Sequence, residues 1–386
     1  MTGTVAIVGG GPTGLALALT LARHGVASTV FAEHLQPTPV DESRAITWMP
    51  RGMEFLDWAG LTARFERIGL RRSAHEFRSA RGLLLEVRYD QLCHEHPYTL
   101  MIPQHHSERL LHEAAVATGL VEVRRGHRVV DASQAPAAAV LTVEGPDGRY
   151  VERASWAVGA DGARSIVRRR LGIRQQWRDY GLDSAVADFE MTCDLPADRS
   201  RIVLDPRRPY GFFAFAPGRW RLVYRLNPGE DRQAMTTEAS ATTLLSHKLP
   251  GAQVHRFLWS SAFRLGQGQS TTYRHGRWLL IGDAAHAMGP SAGAGMMIGV
   301  LGAWRLGRCL AEAIAGGSDT PLDRYELEQR AAAVQVQHDN ARIFANMAVR
   351  SRPLAAVRSG VLRAMGRVPA VTARMARSEA LLHVRA

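Results

Sequence analysis

Cysteine, lysine and long apolar runs are scarce in this sequence, and the first and last of these exclude whole classes of protein. The 386 residues contain three cysteines, Cys93, Cys193 and Cys309, an odd number without CxxC spacing. Neither a disulfide framework nor a cysteine zinc site is indicated, so we expect three buried thiols. No apolar run reaches the roughly 18 residues that span a bilayer. The first basic residue, Arg23, follows the N-terminal apolar run, whereas a secretory signal peptide carries its charge before that run. We therefore expect a cytoplasmic protein.

The remaining composition is that of a globular protein with two or three structural units, since 46% of the residues are apolar and 22% are charged. Lysine occurs once, and residues 342–386 hold nine arginines against one acidic residue, Glu379. These arginines either form the solvated face of packed helices or dock weakly on an anionic membrane or an acidic carrier protein. Phe344 is the one Phe, Trp or Tyr among them, so they lack the repeated interleaved aromatics of a single-strand binder, which argues against nucleic acid.

The N-terminal stretch predicts a nucleotide-binding turn. TVAIV is typical of a strand, GGGPTG of a turn, and LALALTLARHG of a helix. Gly9, Gly11 and Gly14 fit GxGxxG, in which the glycines permit a tight turn, close approach of a pyrophosphate, and packing of helix on strand. Pro12 suits the first helical turn, next to Thr13. The unpaired amides and the dipole at the helix start favour an anion there.

A second strand, ASTVFAEH, ends at Glu33, 19 residues after Gly14. A carboxylate at this place accepts hydrogen bonds from an adenosine ribose and repels a 2′-phosphate. The pattern therefore indicates FAD or NAD rather than NADP at this site, and it leaves the choice between FAD and NAD open.

Two later segments also place a carboxylate at the end of a strand. Residues 156–173 predict a buried strand, a turn at Asp161 and Gly162, and a helix with a basic far end. Residues 277–300 predict a strand that ends near Asp283, then a loop and another helix. Ligands of open α/β sheets bind at these carboxyl edges.

With these three motifs in this order over about 290 residues, the chain resembles the single-component FAD-dependent aromatic monooxygenases, the family of para-hydroxybenzoate hydroxylase. The resemblance implies an α/β fold, in which a GxGxxG FAD-binding, Rossmann-like domain carries an inserted mixed β-sheet substrate domain and C-terminal helices. The expected boundaries are 1–75, 100–180 and 270–340 for the FAD-binding domain, 76–99 and 181–269 for the substrate domain, and 341–386 for the helical segment.

The resemblance also assigns contacts to FAD. Arg44 matches the arginine at the pyrophosphate, although a surface ion pair with Asp41 or Glu42 is an alternative. The other matches are Gln104 beside the ribityl and phosphate region, Val129 through its backbone at the adenine, Asp161 between FAD and a passing nicotinamide, and Asp283 at a ribityl hydroxyl.

The loop after Asp283 should supply backbone amides to the flavin ring. Pro290 ends the turn, and Gly293 and Gly295 leave room for amides at the helix start, where they and the dipole would stabilise charge at N1 and O2 of the reduced ring. An ordinary glycine-rich helix start is the alternative.

The same loop departs from the family pattern. Family members often have glycine, glutamine, glycine, methionine and asparagine where this sequence has Gly293, Ala294, Gly295, Met296 and Met297, and a common aspartate is Gly302. Backbone contacts survive these changes, but side-chain hydrogen bonds do not.

Residues 182–227 alternate like strands and match the sheet that forms the pocket floor in the family. The candidate lining residues are Tyr210, Phe213, Phe215, Tyr224 and the stretch 83–100, with core packing as the alternative for each aromatic. His94, His96 and Tyr210 are candidates for a base on a phenolic substrate. Cys93, His105 and His106, like His94 and His96, are of residue types that bind metals, but we expect no metal.

The family resemblance implies that NAD(P)H reduces bound FAD, that O2 adds at C4a, and that the hydroperoxide hydroxylates an aromatic substrate, phenolic or polyketide-like. A flavin-dependent saturase or halogenase and a flavin-binding scaffold without turnover are alternatives. We expect a monomer or homodimer. Near the C-terminus, Pro353 and Pro369 should begin helices packed on the FAD domain, and the first of these carries an apolar stripe of Leu354, Val357, Val361 and Met365.

Overall fold

The computed structural model describes residues 5–39, 41–42, 45–289 and 293–384. Its helices are α1 Pro12–Arg23, α2 Pro50–Ala59, α3 Thr62–Glu66, α4 Gln104–Val116, α5 Ile166–Arg170, α6 Glu238–Lys248, α7 Ala294–Gly316, α8 Thr320–Ala348, α9 Arg352–Gly366 and α10 Pro369–Glu379. Its strands are β1 Val5–Val8, β2 Ser28–Ala32, β3 Thr47–Trp48, β4 Leu70–Arg72, β5 Ala74–Ser79, β6 Gly82–Arg88, β7 Thr99–Met101, β8 Val121–Arg125, β9 Arg128–Ala135, β10 Ala138–Gly145, β11 Gly148–Ala154, β12 Trp156–Gly159, β13 Gln175–Thr192, β14 Arg199–Val203, β15 Tyr210–Ala216, β16 Arg219–Arg225, β17 Gln253–Ser270, β18 Arg274–His275 and β19 Trp278–Leu280.

A six-stranded sheet in the order β18-β19-β12-β1-β2-β8 forms the first layer. All neighbouring strands are parallel except the β18–β19 hairpin. The central strands are continuous apolar runs, as expected for strands covered on both faces, and every residue of β1 and β12 is buried. Helices α1 and α7 cross at close range, since a Cβ on Gly307 would lie 2.4 Å from Thr20.

A seven-stranded sheet in the order β17-β13-β16-β15-β14-β5-β6 forms the second layer. It is antiparallel except where β14 pairs with β5. Helix α6 covers one face, and its buried Leu245 joins the cluster that contains Phe189, Phe212 and Leu222. The other face contacts the small sheet β3-β7-β4 through Met101. The predicted fold class is confirmed, while the residue boundaries of the domains stay a prediction.

The C-terminal helices begin at the two prolines, as predicted, but they lie elsewhere than expected. Helices α9 and α10 pack against β6 of the seven-stranded sheet, not mainly on the FAD domain. The apolar stripe of α9 faces outward, with Leu354, Val357 and Val361 62%, 64% and 53% exposed. The inward face instead carries Ala355 and Arg358, because a small side chain permits close approach and the guanidinium group caps backbone carbonyls.

The expectation of three buried thiols is wrong for Cys93, which is exposed in the loop after β6, while Cys309 is buried and Cys193 is partly buried. None of the helices in the described ranges combines the length and the apolar character that crossing a membrane requires.

Candidate active site

The carboxyl ends of four adjacent parallel strands bring the predicted cofactor residues to one edge of the six-stranded sheet. Val8 of β1 pairs with Phe31 of β2 and with Gly159 of β12, and Gly159 pairs with Leu280 of β19. The residues that follow these positions are Gly9, Glu33, Asp161 and Asp283. Because the strands are in register, the four residues line one crevice, where open α/β sheets bind their ligands.

The three glycines of the first turn have different tasks. Gly9 has φ +117°, and a Cβ on it would lie 2.4 Å from the carbonyl oxygen of Ala160. A Cβ on Gly14 would lie 2.0 Å from the carbonyl oxygen of Gly9. A Cβ on Gly11, in contrast, would meet nothing within 4 Å in the part of the chain that the structure describes. Gly9 and Gly14 therefore shape the turn, and Gly11 keeps the space before α1 open.

The start of α1 is available to an anion. Pro12 is at its first position, and in this described part of the chain the helix has neither a side-chain cap nor an acidic residue in its first turn. Its first backbone amides therefore have no side-chain partner that a pyrophosphate would have to displace. Thr13 lies against Gly282 and Gly299, where Cβ atoms would come within 3.1 Å and 2.7 Å of it, so it holds α1 close to the Asp283 turn and α7.

Only one of the two carboxylate oxygens of Asp161 accepts hydrogen bonds. Its Oδ2 accepts hydrogen bonds from the amides of Ile166 at 2.7 Å and Val167 at 3.1 Å, which cap α5. Its Oδ1 is buried without a partner among the described residues, and burial raises the pKa of the carboxyl group. A buried acceptor without a donor is costly, so a bound ligand with O–H or N–H groups would fit here.

Asp283 lies in the 3₁₀ turn Gly282–Ala284 after β19. Burial alone raises its pKa to about 6, and no described cation lowers it. Hydroxyl donors of a ribityl chain would supply the hydrogen bonds that favour the ionised form. Asp283 and the unpaired oxygen of Asp161 both need hydrogen-bond donors, and the uncapped start of α1 can bind an anion. These three features fit FAD.

Arg168 connects the turn at Asp161 with the turn at Asp283, a role that was not among the sequence predictions. Its guanidinium group donates to the carbonyl oxygens of Ala284 at 3.1 Å and Ala163 at 2.9 Å, and burial lowers its pKa. The available signal was a basic residue in the first turn of α5, where the helix dipole disfavours a positive charge that has no other partner.

Gln104 anchors the segment that precedes β3. Its Oε1 accepts from the amide of Ala45 at 3.0 Å, and its Nε2 donates to Glu108 at 2.8 Å. Glu108 in turn accepts from the amide and the hydroxyl of Thr38 at 3.1 and 2.9 Å. The sequence analysis did not anticipate this role of Glu108. Arg44 and Pro290, two predicted contacts, lie outside the described residues.

The two remaining adenine-side predictions lie near each other. Glu33 is exposed just beyond β2, and Val129 is buried on β9. The amide of His127 donates to the carbonyl oxygen of Ala32 at 3.1 Å, which brings the start of β9 beside Glu33. Their roles in binding adenosine stay predictions.

The start of α7 carries the predicted flavin contacts Gly293 to Met296, whose roles stay predictions. Gly293 caps the helix with φ +77°, Ala294 is buried, and Met296 packs against the core. Among the described residues, which do not include 290–292, a Cβ on Gly295 would meet only Met288, at 3.9 Å.

Met297 replaces a polar family residue with packing. It is fully buried, and its Sδ lies 2.4 Å from where a Cβ on Gly52 would be. The thioether fills a notch in α2 beside Trp48. Met297 therefore supplies apolar contact between α7 and α2.

The aromatic candidates separate onto the two faces of the seven-stranded sheet, because successive residues of a strand point to opposite sides. Phe213 and Phe215 join Ile46 on the face that meets the small sheet. Tyr210 and Tyr224 pack on the opposite face with α6, where the Tyr224 hydroxyl donates to the carbonyl oxygen of Met235 at 2.5 Å.

The histidine candidates lie beside α2. His94 Nε2 is 2.9 Å from Glu54 Oε1, and His96 Nε2 is 2.6 Å from Asp57 Oδ2. The structure therefore does not bring them together with Tyr210, and their role as a base stays a prediction. Asp57, Glu95 and His96 are the one cluster with metal-ligand spacing in the described residues, and two of its members already pair with each other.

A buried ion pair that the sequence analysis missed stands beside Phe213. Arg221 binds Asp188 with two contacts of 2.8 Å, and its guanidinium carbon lies 5.6 Å from the ring centre of Phe215 and 6.0 Å from that of Trp259. Strand pairing places Phe213, Arg221 and Asp188 in one row. The charge of Arg221 is therefore balanced by Asp188 beside aromatic rings. Burial raises the pKa of Asp188, and Arg221 opposes that rise.

Comparisons with known proteins agree with this geometry. The family model described as FAD binding domain matches residues 2–340. The 12-dehydrotetracycline 5-monooxygenase/anhydrotetracycline 6-monooxygenase of Streptomyces rimosus is 34% identical over 348 residues, 86% of this chain and 67% of that protein, so the chain spans about two thirds of its length.

Two solved structures share the fold. The p-nitrophenol 4-monooxygenase PnpA from Pseudomonas putida DLL-E4 has a TM-score of 0.90 at 26% identity, covering 100% of this chain and 99% of that one. The ternary complex of aklavinone-11 hydroxylase with FAD and aklavinone has a TM-score of 0.80 at 26% identity, covering 90% and 69%. The chain therefore belongs to the FAD-binding domain family and, within it, to the FAD-dependent aromatic monooxygenases.

Proposed function

We propose that this enzyme hydroxylates a phenolic or polyketide-like aromatic molecule, with NAD(P)H as the reductant and O2 as the oxygen source. The observation that carries the proposal is the crevice at the edge of the six-stranded sheet, where Gly11, Asp161 and Asp283 converge. The two named relatives that act on tetracycline intermediates and on p-nitrophenol support an aromatic substrate.

Bound FAD would take electrons from NAD(P)H and deliver one oxygen atom of O2 to the substrate. The residues of this chain hold and orient it. The amides at the start of α1 would bind the pyrophosphate, Asp283 would accept hydrogen bonds from the ribityl chain, and the amides around Gly295 would stabilise charge on the ring. Phe213 and Phe215 exclude water from the substrate side, because water in such a site wastes the activated oxygen as peroxide.

Product analysis under labelled O2 tests this proposal. Purified protein is given NAD(P)H and a panel of phenols and tetracyclic aromatics, and we expect a product that contains one labelled oxygen atom. A product heavier by hydrogen alone would instead show a saturase, and a chlorinated or brominated product would show a halogenase. If no substrate accelerated NAD(P)H oxidation, the chain would be a flavin-binding scaffold and the proposal would be wrong.

We further propose that the C-terminal segment docks on an anionic membrane surface, and that the protein is cytoplasmic and a monomer or homodimer. The exposed stripe Leu354, Val357 and Val361 extends about 10 Å along α9. Arg352, Arg363 and Arg367 lie together on another side of the helix, roughly 145° around its axis from the stripe, and none of the three forms an ion pair with a described carboxylate. Aliphatic residues on one face and arginines on the polar face are typical of helices that lie in a lipid interface.

Vesicle sedimentation tests the docking. At about 1 kcal/mol for each arginine near anionic lipid, we expect salt-sensitive binding to phosphatidylglycerol vesicles and none to neutral phosphatidylcholine vesicles. Changing Arg352, Arg363 and Arg367 to Gln should abolish it. The same change at three exposed arginines elsewhere, Arg153, Arg174 and Arg178, is the matched control. No sedimentation of the wild type at low salt would end this proposal.

A further inference from the structure

A buried glutamine on α8 connects the Asp283 turn to the start of α7. Gln329 is fully buried. Its Nε2 lies 3.0 Å from Nε2 of His286 and 3.0 Å from the carbonyl oxygen of Ile298. Its Oε1 accepts a hydrogen bond from Arg305. His286 is three residues beyond Asp283, and Ile298 is in the first turns of α7, so one amide bridges both segments that carry flavin contacts.

The direction of each hydrogen bond is fixed by chemistry. A guanidinium group only donates, so the oxygen of Gln329 must face Arg305 and the NH2 group must face the other two partners. The carbonyl oxygen of Ile298 only accepts, and it takes one hydrogen. The second hydrogen goes to Nε2 of His286, which is therefore neutral with its proton on Nδ1. Burial, which lowers the pKa of His286 to about 4, agrees with a neutral ring.

Gly302 makes the room for this amide. A Cβ on Gly302 would lie 2.7 Å from Nε2 and 2.8 Å from Cδ of Gln329. With glycine there, the side chain of Gln329 reaches in from the neighbouring helix and occupies the space over α7. The glycine at 302 and the glutamine at 329 are therefore two parts of one arrangement.

A second glutamine on the same face of α8 supports this view of the helix. Gln337 is eight residues after Gln329, about two helical turns, and is also buried. Its Nε2 donates to the carbonyl oxygens of Gly268 at 3.1 Å and Ala287 at 3.2 Å. Helix α8 thus contacts the segment after Asp283 at two points, the side chain of His286 and the backbone of Ala287.

We propose that Gln329, oriented by Arg305, is a positioning residue for the flavin: it fixes the start of α7 relative to the Asp283 turn. The inference rests on FAD binding and not on the identity of the aromatic substrate. Its test therefore uses FAD alone and is independent of any hydroxylation assay.

The test compares Gln329→Leu with Tyr325→Phe. The first variant keeps the side-chain size but removes the amide, and we expect the Kd for FAD to rise on the order of tenfold. The midpoint potential of the bound flavin should become more negative, because the α7 amides no longer stabilise the reduced ring. Tyr325 is the control because it is buried on the same helix. Its hydroxyl donates to the carbonyl oxygen of Leu280 at 2.8 Å, which belongs to β19 and to neither of the two flavin segments. Its change to Phe should move neither quantity.

A second variant keeps the proposal testable if Gln329→Leu does not fold. Gly302→Ala leaves Gln329 and its partners chemically intact but displaces the amide, so it should shift the Kd and the potential in the same directions. If Gln329→Leu or Gly302→Ala lowered only the melting temperature of the apoprotein, while the Kd for FAD and the potential stayed at wild-type values, Gln329 would be an ordinary structural residue.

Discussion

Asp283 is a carboxyl group whose ionisation in the apoprotein is costly. Its pKa rises from 3.8 to about 6 because it is buried. A raised folded-state pKa adds no penalty below pH 3.8, builds one between pH 3.8 and 6, and keeps the full penalty above pH 6. The fold therefore bears this cost at neutral pH unless a ligand donates hydrogen bonds to the carboxylate.

Replacing Asp283 with Asn should separate stability from cofactor binding. We expect the apoprotein to gain about 3 kcal/mol of unfolding free energy above pH 6, because the neutral amide removes the ionisation penalty of a pKa raised from 3.8 to about 6, and to gain little near pH 4. FAD should bind more weakly, since a neutral amide oxygen is a poorer acceptor than a carboxylate. Denaturant titrations of apoprotein at pH 4 and pH 7.5, with FAD titrations at pH 7.5, measure both. An equal change of stability at the two pH values would contradict the assignment.

Gly11 and Gly14 offer a matched pair of alanine substitutions. Gly14→Ala would place a Cβ 2.0 Å from the carbonyl oxygen of Gly9. We therefore expect the free energy of unfolding to fall by about 2 to 4 kcal/mol and FAD binding to be lost as well. Gly11→Ala has open space, so stability should change by less than about 0.5 kcal/mol. Its methyl group would nevertheless stand where the pyrophosphate approaches, and FAD affinity should fall. Tight FAD binding by a stable Gly11→Ala protein would show that the pyrophosphate lies elsewhere.

In helix α9, we expect the buried Arg358 to matter more for stability than the exposed apolar stripe. Arg358 is buried and donates to the carbonyl oxygens of Leu204 at 2.6 Å and Asn346 at 2.8 Å. Arg358→Met leaves both carbonyls unpaired and should cost about 1 to 3 kcal/mol. Val357→Ser, on the exposed stripe one residue away, should cost less than about 0.5 kcal/mol. Chemical denaturation of the two variants checks the order, and a larger loss at Val357 would mean that the stripe is covered in solution.

The elements that the sequence predicts correctly are those specified by consecutive residues. The turns at Gly9, Asp161 and Asp283 each combine an apolar strand, a glycine-rich break and a helix, so local chemistry suffices to predict them. Their convergence follows because the strands are parallel neighbours, and the carboxyl ends of such strands meet at one edge. This reasoning also predicts that the acids serve one ligand.

What the sequence does not determine is which face of an element meets which neighbour. Period-two alternation puts Phe213 and Tyr210 on opposite faces of β15, but only the packing of α6 shows that the tyrosine side is remote from the small sheet. The apolar stripe of α9 likewise predicts burial, yet Ala355 and Arg358 face β6 because close approach and carbonyl capping outweigh the stripe. Gln329 depends on a contact between α7 and α8 and has no local signal.

At the scale of the whole molecule, the C-terminal residues connect the two large sheets. Ala376 of α10 packs with Leu85 and Val87 of β6, in the seven-stranded sheet. A few residues later, Leu381 and Val384 are buried in the main core cluster that contains the six-stranded sheet. The backbone amide of Arg51, on α2, donates to the carbonyl oxygen of Ala380 at 3.2 Å. The same short segment thus contributes to both cores.

Cutting this connection should uncouple the two sheets. The double substitution Leu381→Ser and Val384→Ser removes two aliphatic side chains from the core, at about 1.5 to 3 kcal/mol each, and we expect calorimetry to resolve two unfolding transitions in place of one. Added FAD should raise only the transition of the sheet that carries the crevice, because a ligand stabilises the unit that it binds. Leu382→Ser is the control, since Leu382 is only partly buried and its carbonyl oxygen, not its side chain, accepts from Arg51 at 3.2 Å. A double variant that still unfolds in one transition would mean that the interface between the sheets, without this segment, is enough to couple them.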